Sequence, residues 1–145
     1  AIPENIAHHF LKLYQAKKLN GLGASTLKAL RELEFGGHWS QIGRKGEYAA
    51  GNGAAMRMTP LAFVDRIPNT SIRDIAYITH QNEEAYIGGL CVIIAIRSVL
   101  KRQWTGKENL IDIVRNMPGN WNPATNSKGE GVQQELVFFF GLMGC

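Results

Sequence analysis

The sequence is short of the features that mark a disulfide framework or a membrane span. It has only two cysteines, Cys91 within an apolar run and Cys145 at the last position, at no spacing typical of frameworks or metal sites. The longest apolar stretch, residues 88–96, is too short to cross a bilayer, and the first residues lack a signal-peptide pattern. Reduced thiols are typical of the cytoplasm. The sequence therefore predicts a soluble cytoplasmic protein that binds no membrane.

Acidic side chains are also few and scattered. The aspartates are Asp65, Asp74 and Asp112, and Glu83-Glu84 is the only neighbouring pair of acids. Magnesium requires several converging oxygen ligands, mainly carboxylates and waters, so the sequence predicts no metal site. The Glu83-Glu84 pair instead fits the N-terminus of a helix, where the helix dipole favours negative charge.

Positive charge is in modest excess, with a formal net charge of +4 and a pI near 9.2. The basic pairs at residues 17–18, 44–45 and 101–102 are far apart, whereas nucleic-acid binders usually cluster such charge. We interpret the charge as solvated surface, with a modest attraction for phosphates as the alternative. No specific nucleic-acid binding is expected.

Apolar residues recur at helical spacing along most of the chain, and no convincing strand alternation occurs. The longest predicted helix covers residues 82–102, where Gly88 and Gly89 indicate close packing of the helix backbone against another helix or a ligand. We therefore predict an all-α fold, a compact multi-helix bundle that forms a single helical domain over residues 1–145.

Polar residues, prolines and glycines predict where the other helices begin and end. The first helix begins at Pro3, and the segment 38–53 is a glycine-rich loop. The remaining predicted helices are one capped by Ser25 or Thr26, one over residues 53–64 that bends or breaks at Pro60, one over 71–79 opened by a capping box at Ser71, one after a capping box at Thr105, and one over 132–142.

A run of small residues just before a predicted helix is the first candidate site. Gly51 and Gly53 let a ligand approach the backbone, and free N–H groups at a helix start attract phosphates. Asn52 adds an amide that both donates and accepts, and Tyr48 can stack on a base or simply pack. Arg57 can reach a phosphate, pair with an acid or face water. The alternative is that the run is only a turn and a cap.

The second candidate is His80, which follows Thr79 at the junction before the longest helix. Its ring can hydrogen-bond a ribose hydroxyl, or it can be a polar residue that connects two helices. His8 and His9 are predicted to lie on the surface of the first helix. His38 lies in a loop with no recognisable partner.

These segments resemble the signature of the ADP-ribosylglycohydrolase family, which includes the dinitrogenase reductase-activating glycohydrolases. The run G-N-G-A-A-M-R at residues 51–57, followed by Pro60 and Leu61, is similar to the family's G-N-G-A-A-M-R-x-x-P-L. The segment 79–85 resembles its T-H-x-x-x-E-A, and residues 21–30 resemble its G-x-G-x-x-T-x-x-A-L. The resemblance covers most of residues 2–100.

The resemblance implies an all-α fold with two magnesium ions in a cleft and an ADP-ribose site. It implies that Gly51, Asn52, Gly53 and His80 contact the ligand, the loop near the pyrophosphate and the histidine beside the ribose. Tyr48 is a weaker candidate for stacking on the adenine.

The sequence departs from the family where the resemblance implies metal ligands. Neither the early T-D-D-T motif nor the late G-G-D-x-D-T motif is present, so no catalytic residue is assigned and no cofactor is expected. We expect a truncated relative, incomplete compared with the family, with residual binding of ADP-ribose or a related nucleotide and no efficient metal-dependent hydrolysis. The alternative is a non-catalytic helical module for oligomerisation or protein interaction.

An apolar C-terminal run predicts self-association. The three phenylalanines at residues 138–140 point in directions about 100° apart on a helix, so they cannot all face one small core. A half-domain also leaves the broad face of the 82–102 helix uncovered. We expect a homodimer whose interface includes residues 138–140; the alternative is that the rings divide between the core and an ordinary surface.

Overall fold

Residues 2–104 and residue 112 are described by the computed structural model. This part of the chain has five α-helices, α1 (Ile2–Gln15), α2 (Ala24–Glu34), α3 (Gly53–Met58), α4 (Asn69–Tyr77) and α5 (Glu83–Leu100), and two short strands, β1 (Arg44–Lys45) and β2 (His80–Gln81). The all-α class is confirmed. The helices predicted after Thr105 and over 132–142, the phenylalanines 138–140 and Cys145 lie outside the described residues.

The longest described helix, α5, lies at the centre of the larger hydrophobic core. It is buried on nearly all sides along its first twelve residues, packed against α3 and α4. The glycine at position 89 permits this packing, because a methyl group there would lie 2.7 Å from Cγ of Met58 on α3. Asn82 caps the helix by accepting a hydrogen bond of 3.1 Å from the N–H of Ala85. The prediction of close backbone packing is thus confirmed at Gly89.

The expected uncovered face of this helix is not what the structure shows. Helices α3 and α4 and a 3₁₀ turn cover most of α5, and only the C-terminal end carries exposed large apolar side chains, Val99 at 52% and Leu100 at 57%. The prediction of a broad uncovered face was wrong because it assumed that the covering helices were missing, whereas residues 53–77 supply them.

Two predicted helix caps are also wrong. Helix α2 begins at Ala24 after Gly23, so Ser25 and Thr26 lie buried in its first turn and do not cap it. Helix α4 begins at Asn69, directly after Pro68, which places Ser71 inside the helix. Pro68 has extended backbone angles that are suited to the residue before a helix, and this local geometry overrides the capping-box pattern.

The predicted break at Pro60 is confirmed. Helix α3 ends at Met58, and a 3₁₀ turn, Thr59–Phe63, follows. Proline has no N–H to continue the helix ladder. At the end of the 3₁₀ turn, Arg97 of α5 donates hydrogen bonds to backbone carbonyls, with nitrogen–oxygen distances of 3.1 Å to that of Ala62 and 2.7 Å to that of Val64.

The segment predicted as loop contains one paired strand and a short 3₁₀ turn, Glu47–Ala49. Strands β1 and β2 are parallel, with Arg44 opposite His80 and Lys45 opposite Gln81. Gly43 permits this approach, because a methyl group on it would lie 2.1 Å from the carbonyl oxygen of Tyr77. Two-residue strands are too short to show alternation, which is why sequence periodicity missed them.

A second, smaller hydrophobic cluster lies next to the β1–β2 pair. Ala7 of α1, Ala29 of α2, and Ile42 and Ile78 on the two connecting segments are all buried together. Ile78 is fully buried two residues before His80, so this cluster fixes the backbone that leads into β2. Within the described residues, no helix is both long and apolar enough to cross a membrane.

Candidate functional site

The ring of His80 packs against the backbone of residues 51–53, called the glycine loop below. A methyl group on Gly53 would lie 2.7 Å from Cε1 and 3.2 Å from Nε2 of His80, and one on Gly51 would lie 3.4 Å from Nε2. Such distances leave no room for a side chain at position 53. The structure therefore brings three of the predicted site residues together: Gly51, Gly53 and His80.

Thr79 and Arg57 continue the arrangement on the other edge of the imidazole. The hydroxyl of Thr79 lies 2.6 Å from Nδ1 of His80, and Nη2 of Arg57 donates to the same hydroxyl at 2.5 Å. Both Thr79 and His80 are buried. Position 57 was predicted to pair with an acid, face water or reach a phosphate, and the structure shows a different contact, with a neutral hydroxyl.

In the described part of the chain, the guanidinium of Arg57 is held without a carboxylate. It lies over the ring of Phe10 at 5.3 Å, a cation–π geometry, and forms no salt bridge with the described residues. Its Nε has no hydrogen-bond partner there. Burial lowers the pKa of Arg57 to about 10, so the group still carries its charge at neutral pH.

His80 is electrically neutral at neutral pH. Burial first, and then the positive charge of Arg57, lower the pKa of its imidazole from 6.5 to about 4. A neutral imidazole has one nitrogen that donates and one that accepts. The ring is therefore suited to one directed hydrogen bond and not to binding an anion by charge.

The other two predicted site residues lie on the solvent side of the loop. Asn52 is exposed and holds the residue position before α3, but its side chain makes no cap hydrogen bond. The side chain of Tyr48 is 77% exposed. Neither side chain is used to stabilise the loop, so both are available at the surface.

The segment that precedes the glycine loop is tied to the start of α5 by Asn82, which the sequence predicted only as the start of that helix. Nδ2 of Asn82 donates to the carbonyl of Gly46 at 3.1 Å, while its Oδ1 caps α5. The backbone N–H of Arg44 also donates to the carbonyl of Thr79 at 3.0 Å. These bonds hold the loop and the Thr79-His80 pair in one frame.

Sequence reasoning missed one further neighbour of the site. Oγ1 of Thr26 would lie 3.4 Å from a methyl group on Gly53, so the first turn of α2 borders the loop. Thr26 was interpreted as a helix cap. Its place in the 21–30 run that resembles the family was the signal that could have identified it.

The other histidines lie elsewhere. His8 and His9 are exposed on α1, as predicted. His38, predicted to have no partner, has one, because its Nδ1 lies 2.8 Å from the hydroxyl of Ser40. The turn geometry at residues 38–41 brings these two side chains together.

The residues that the structure describes do not fit the magnesium that the family resemblance implies. Within residues 2–104 and 112, no group of three His, Cys, Asp or Glu side chains is placed to hold a metal ion. Asp65 is exposed after the 3₁₀ turn, and Asp74 lies 3.9 Å from Nε of Arg73. Magnesium favours several converging oxygen ligands, and these side chains do not converge.

Comparison with known proteins adds an independent finding. The ADP-ribosylglycohydrolase family model matches residues 2–136. An uncharacterized protein of Archaeoglobus fulgidus is 31% identical over 98 residues, which cover 65% of this chain and 31% of the relative. The chain thus aligns with less than a third of that relative, and no solved structure matches it. Because the family model covers far more than half of its residues, the chain belongs to the ADP-ribosylglycohydrolase family.

Proposed function

We propose that the glycine loop and His80 bind ADP-ribose or a related nucleotide, and that these 145 residues do so without efficient metal-dependent hydrolysis. The observation that carries the proposal is the packing of the His80 ring against Gly51 and Gly53. A backbone without side chains next to a neutral imidazole offers N–H groups to ligand oxygens. Ribose hydroxyls and phosphates are oxygens of this kind.

The exposed side chains support a ligand site over a purely structural turn. If the loop were only a turn and cap, Asn52 would be expected to bond the first turn of α3, and it does not. The exposed ring of Tyr48 precedes the loop by three residues, and a base stacked on it would bury the ring.

The N-terminus of α3 is expected to contribute less to ligand affinity than the sequence indicated. Helix α3 has only six residues, and the partial charge at a helix end arises from aligned peptide dipoles. We therefore attribute the proposed affinity to individual hydrogen bonds from the loop and from His80. With so few contacts, we expect a dissociation constant on the order of millimolar, about −4 kcal/mol.

A titration followed by ¹H–¹⁵N NMR tests the binding proposal. ADP-ribose is expected to shift the resonances of residues 51–53, and Asn52→Ala and His80→Ala are expected to weaken binding. His8→Ala is the matched control, because His8 is an exposed histidine on α1, and it should bind as the wild type does. Absence of binding, or unchanged affinity in both site variants, would show that the loop is structural and favour the alternative, a protein-interaction module.

Hydrolysis is tested separately. Purified protein with magnesium is expected to release no ADP-ribose from ADP-ribosyl-arginine or ADP-ribosyl-serine peptides at a useful rate, because the carboxylates among residues 2–104 and 112 do not cluster. Magnesium should not change the ADP-ribose affinity either. Metal-dependent turnover would contradict the proposal and indicate that metal ligands are assembled between chains.

Self-association through residues 138–140 stays a prediction from the sequence. Light scattering coupled to gel filtration tests it, with Phe139→Asp expected to lower the mass from dimer to monomer. A monomer at high micromolar concentration in the wild type would contradict it.

A further inference from the structure

The burial of the Arg57 guanidinium costs free energy, and the group forms no ion pair with any of the residues that the structure describes. It is largely enclosed between Phe10 and Thr79, and its Nε has no partner among the described residues. Burying a charge is unfavourable unless hydrogen bonds compensate. Among the described residues, its side-chain hydrogen bond goes to the hydroxyl of Thr79, which in turn contacts His80.

The chemistry of the three groups gives the chain of hydrogen bonds a direction. Arginine donates only, so the hydroxyl oxygen of Thr79 must accept from Arg57. The hydroxyl then has one hydrogen of its own to donate. Thr79 is fully buried, and the acceptor within reach is Nδ1 of His80 at 2.6 Å. If Nδ1 carried a proton instead, the Thr79 hydroxyl hydrogen would be buried without an acceptor, which is costly.

The proton of the neutral imidazole is thereby placed on Nε2. That atom faces the loop, because methyl groups on Gly51 and Gly53 would lie 3.4 and 3.2 Å from it. In the part of the chain that the structure describes, Nε2 makes no hydrogen bond of its own. The ring thus turns a donor N–H toward the place where side chains are absent.

We propose that Arg57 and Thr79 are positioning residues that hold His80 as the neutral Nε2–H tautomer, so that it donates a hydrogen bond to an acceptor oxygen of the bound ligand. This inference rests on the proposed function for the identity of the ligand. It narrows the ligand class to molecules that present a hydroxyl or phosphate oxygen at this point. A ligand that presents only a donor there is disfavoured, because two hydrogens would meet.

The tautomer is measured directly, without any ligand, by long-range ¹H–¹⁵N correlation spectra of the histidine side chains at neutral pH. In the wild type, Nε2 of His80 is expected to have the shift of a protonated ring nitrogen and Nδ1 that of an unprotonated one. In Thr79→Val, which keeps the shape and removes the hydroxyl, the Nδ1 signal should move toward that of a tautomer mixture. Thr79→Ser should restore it.

Arginine at position 57 is tested against a matched control. Arg57→Met removes the donor to Thr79, whereas Arg73→Met removes an arginine that also lies over an aromatic ring, at 6.0 Å from Tyr77, without contacting Thr79. Only Arg57→Met should change the His80 signals. ADP-ribose affinity should fall about three- to tenfold in Thr79→Val and Arg57→Met, the cost of about one hydrogen bond, and be restored in Thr79→Ser. Far-ultraviolet circular dichroism checks that each variant is folded.

The outcomes separate this inference from the binding proposal. A wild-type His80 protonated on Nδ1 overturns the inference whether or not ADP-ribose binds. The Nε2–H tautomer without ADP-ribose binding supports the inference and overturns the proposed function. Unchanged His80 signals and affinity in folded Thr79→Val and Arg57→Met show that the two residues are not positioning residues.

Discussion

The apolar core around α5 and the polar site around His80 both depend on a glycine pressed against a buried side chain. In the core, the neighbour of Gly89 is Met58; in the site, the neighbour of Gly53 is His80, and a methyl group on either glycine would lie 2.7 Å from it. Met58 packs in the hydrophobic core, whereas His80 is held by the Thr79 hydroxyl as well as by packing. A methyl group at the same distance should therefore be tolerated more easily beside Met58 than beside His80.

Burial acts on a titratable side chain in each of the two regions. Cys91 lies in the core, where burial raises the pKa of its thiol to about 12, so it stays protonated and unreactive. In the site, burial and Arg57 shift the pKa of His80 in the direction that keeps a hydrogen-bonding ring neutral. Burial thus keeps the thiol of Cys91 protonated in the core and keeps the imidazole of His80 neutral in the site.

The largest expected effect is a loss of stability that leaves the site intact. Leu90 is fully buried in the core, and Leu90→Ala should lower the free energy of unfolding by about 2–5 kcal/mol through lost burial and a cavity. Urea denaturation measures this loss. The fraction that remains folded should bind ADP-ribose as the wild type does, and a changed affinity would show that the two regions are coupled.

The two glycines provide the sharpest comparison. Gly53→Ala should cost about 1–3 kcal/mol of stability and weaken ADP-ribose binding at least as much as Thr79→Val does, because the methyl group displaces the imidazole from the Thr79 hydroxyl. Gly89→Ala should cost less, since methionine adapts its rotamers and alanine regains about 1 kcal/mol of helix propensity. Denaturation and NMR titration of both variants test this. Equal losses of stability with unchanged ADP-ribose affinity in both variants would contradict the distinction.

The next comparison is the pH dependence of stability, which is expected to depend on His80 in the site. The folded pKa of His80 is about 4 and its ordinary value 6.5, so between these values the unfolded chain binds more protons. The contribution of His80 to the free energy of unfolding is therefore fully present above about pH 6.5. As the pH falls toward 4, this contribution decreases by up to about 1.4 kcal/mol per pH unit. The difference between wild type and His80→Gln in denaturation at several pH values isolates this contribution. A constant difference would show that His80 titrates normally.

The smallest expected effect on stability is at the loop surface. Asn52 is exposed and does not cap α3, so Asn52→Ala should change the free energy of unfolding by no more than about 0.5 kcal/mol while weakening ADP-ribose binding. Asn82→Ala is the matched control within the same frame, since Asn82 caps α5, and should cost about 1 kcal/mol. A loss of stability in Asn52→Ala as large as in Asn82→Ala would mean that the loop needs this side chain to fold.

Much of the fold was predictable because it depends on local pattern. The 82–102 helix was predicted nearly to its observed bounds at Glu83 and Leu100, and the end of α3 before Pro60 follows from proline chemistry. The errors occurred where a local signal competed with packing. Thr26 and Ser71 match cap patterns. Thr26 is instead buried in the first turn of α2, and α4 begins directly after Pro68, before Ser71.

What the sequence determined by itself is the helical class, the central glycine-bearing helix and the glycine loop before α3. Each of these depends on residues within about one or two helical turns, where periodicity and backbone preference act. Only the tertiary structure decided that Arg57 and Thr79, 22 residues apart, meet beside His80. That contact is set by the parallel pairing of β1 with β2 and by the packing of α3 on α5, and long-range contacts of this kind leave no periodic trace in the chain.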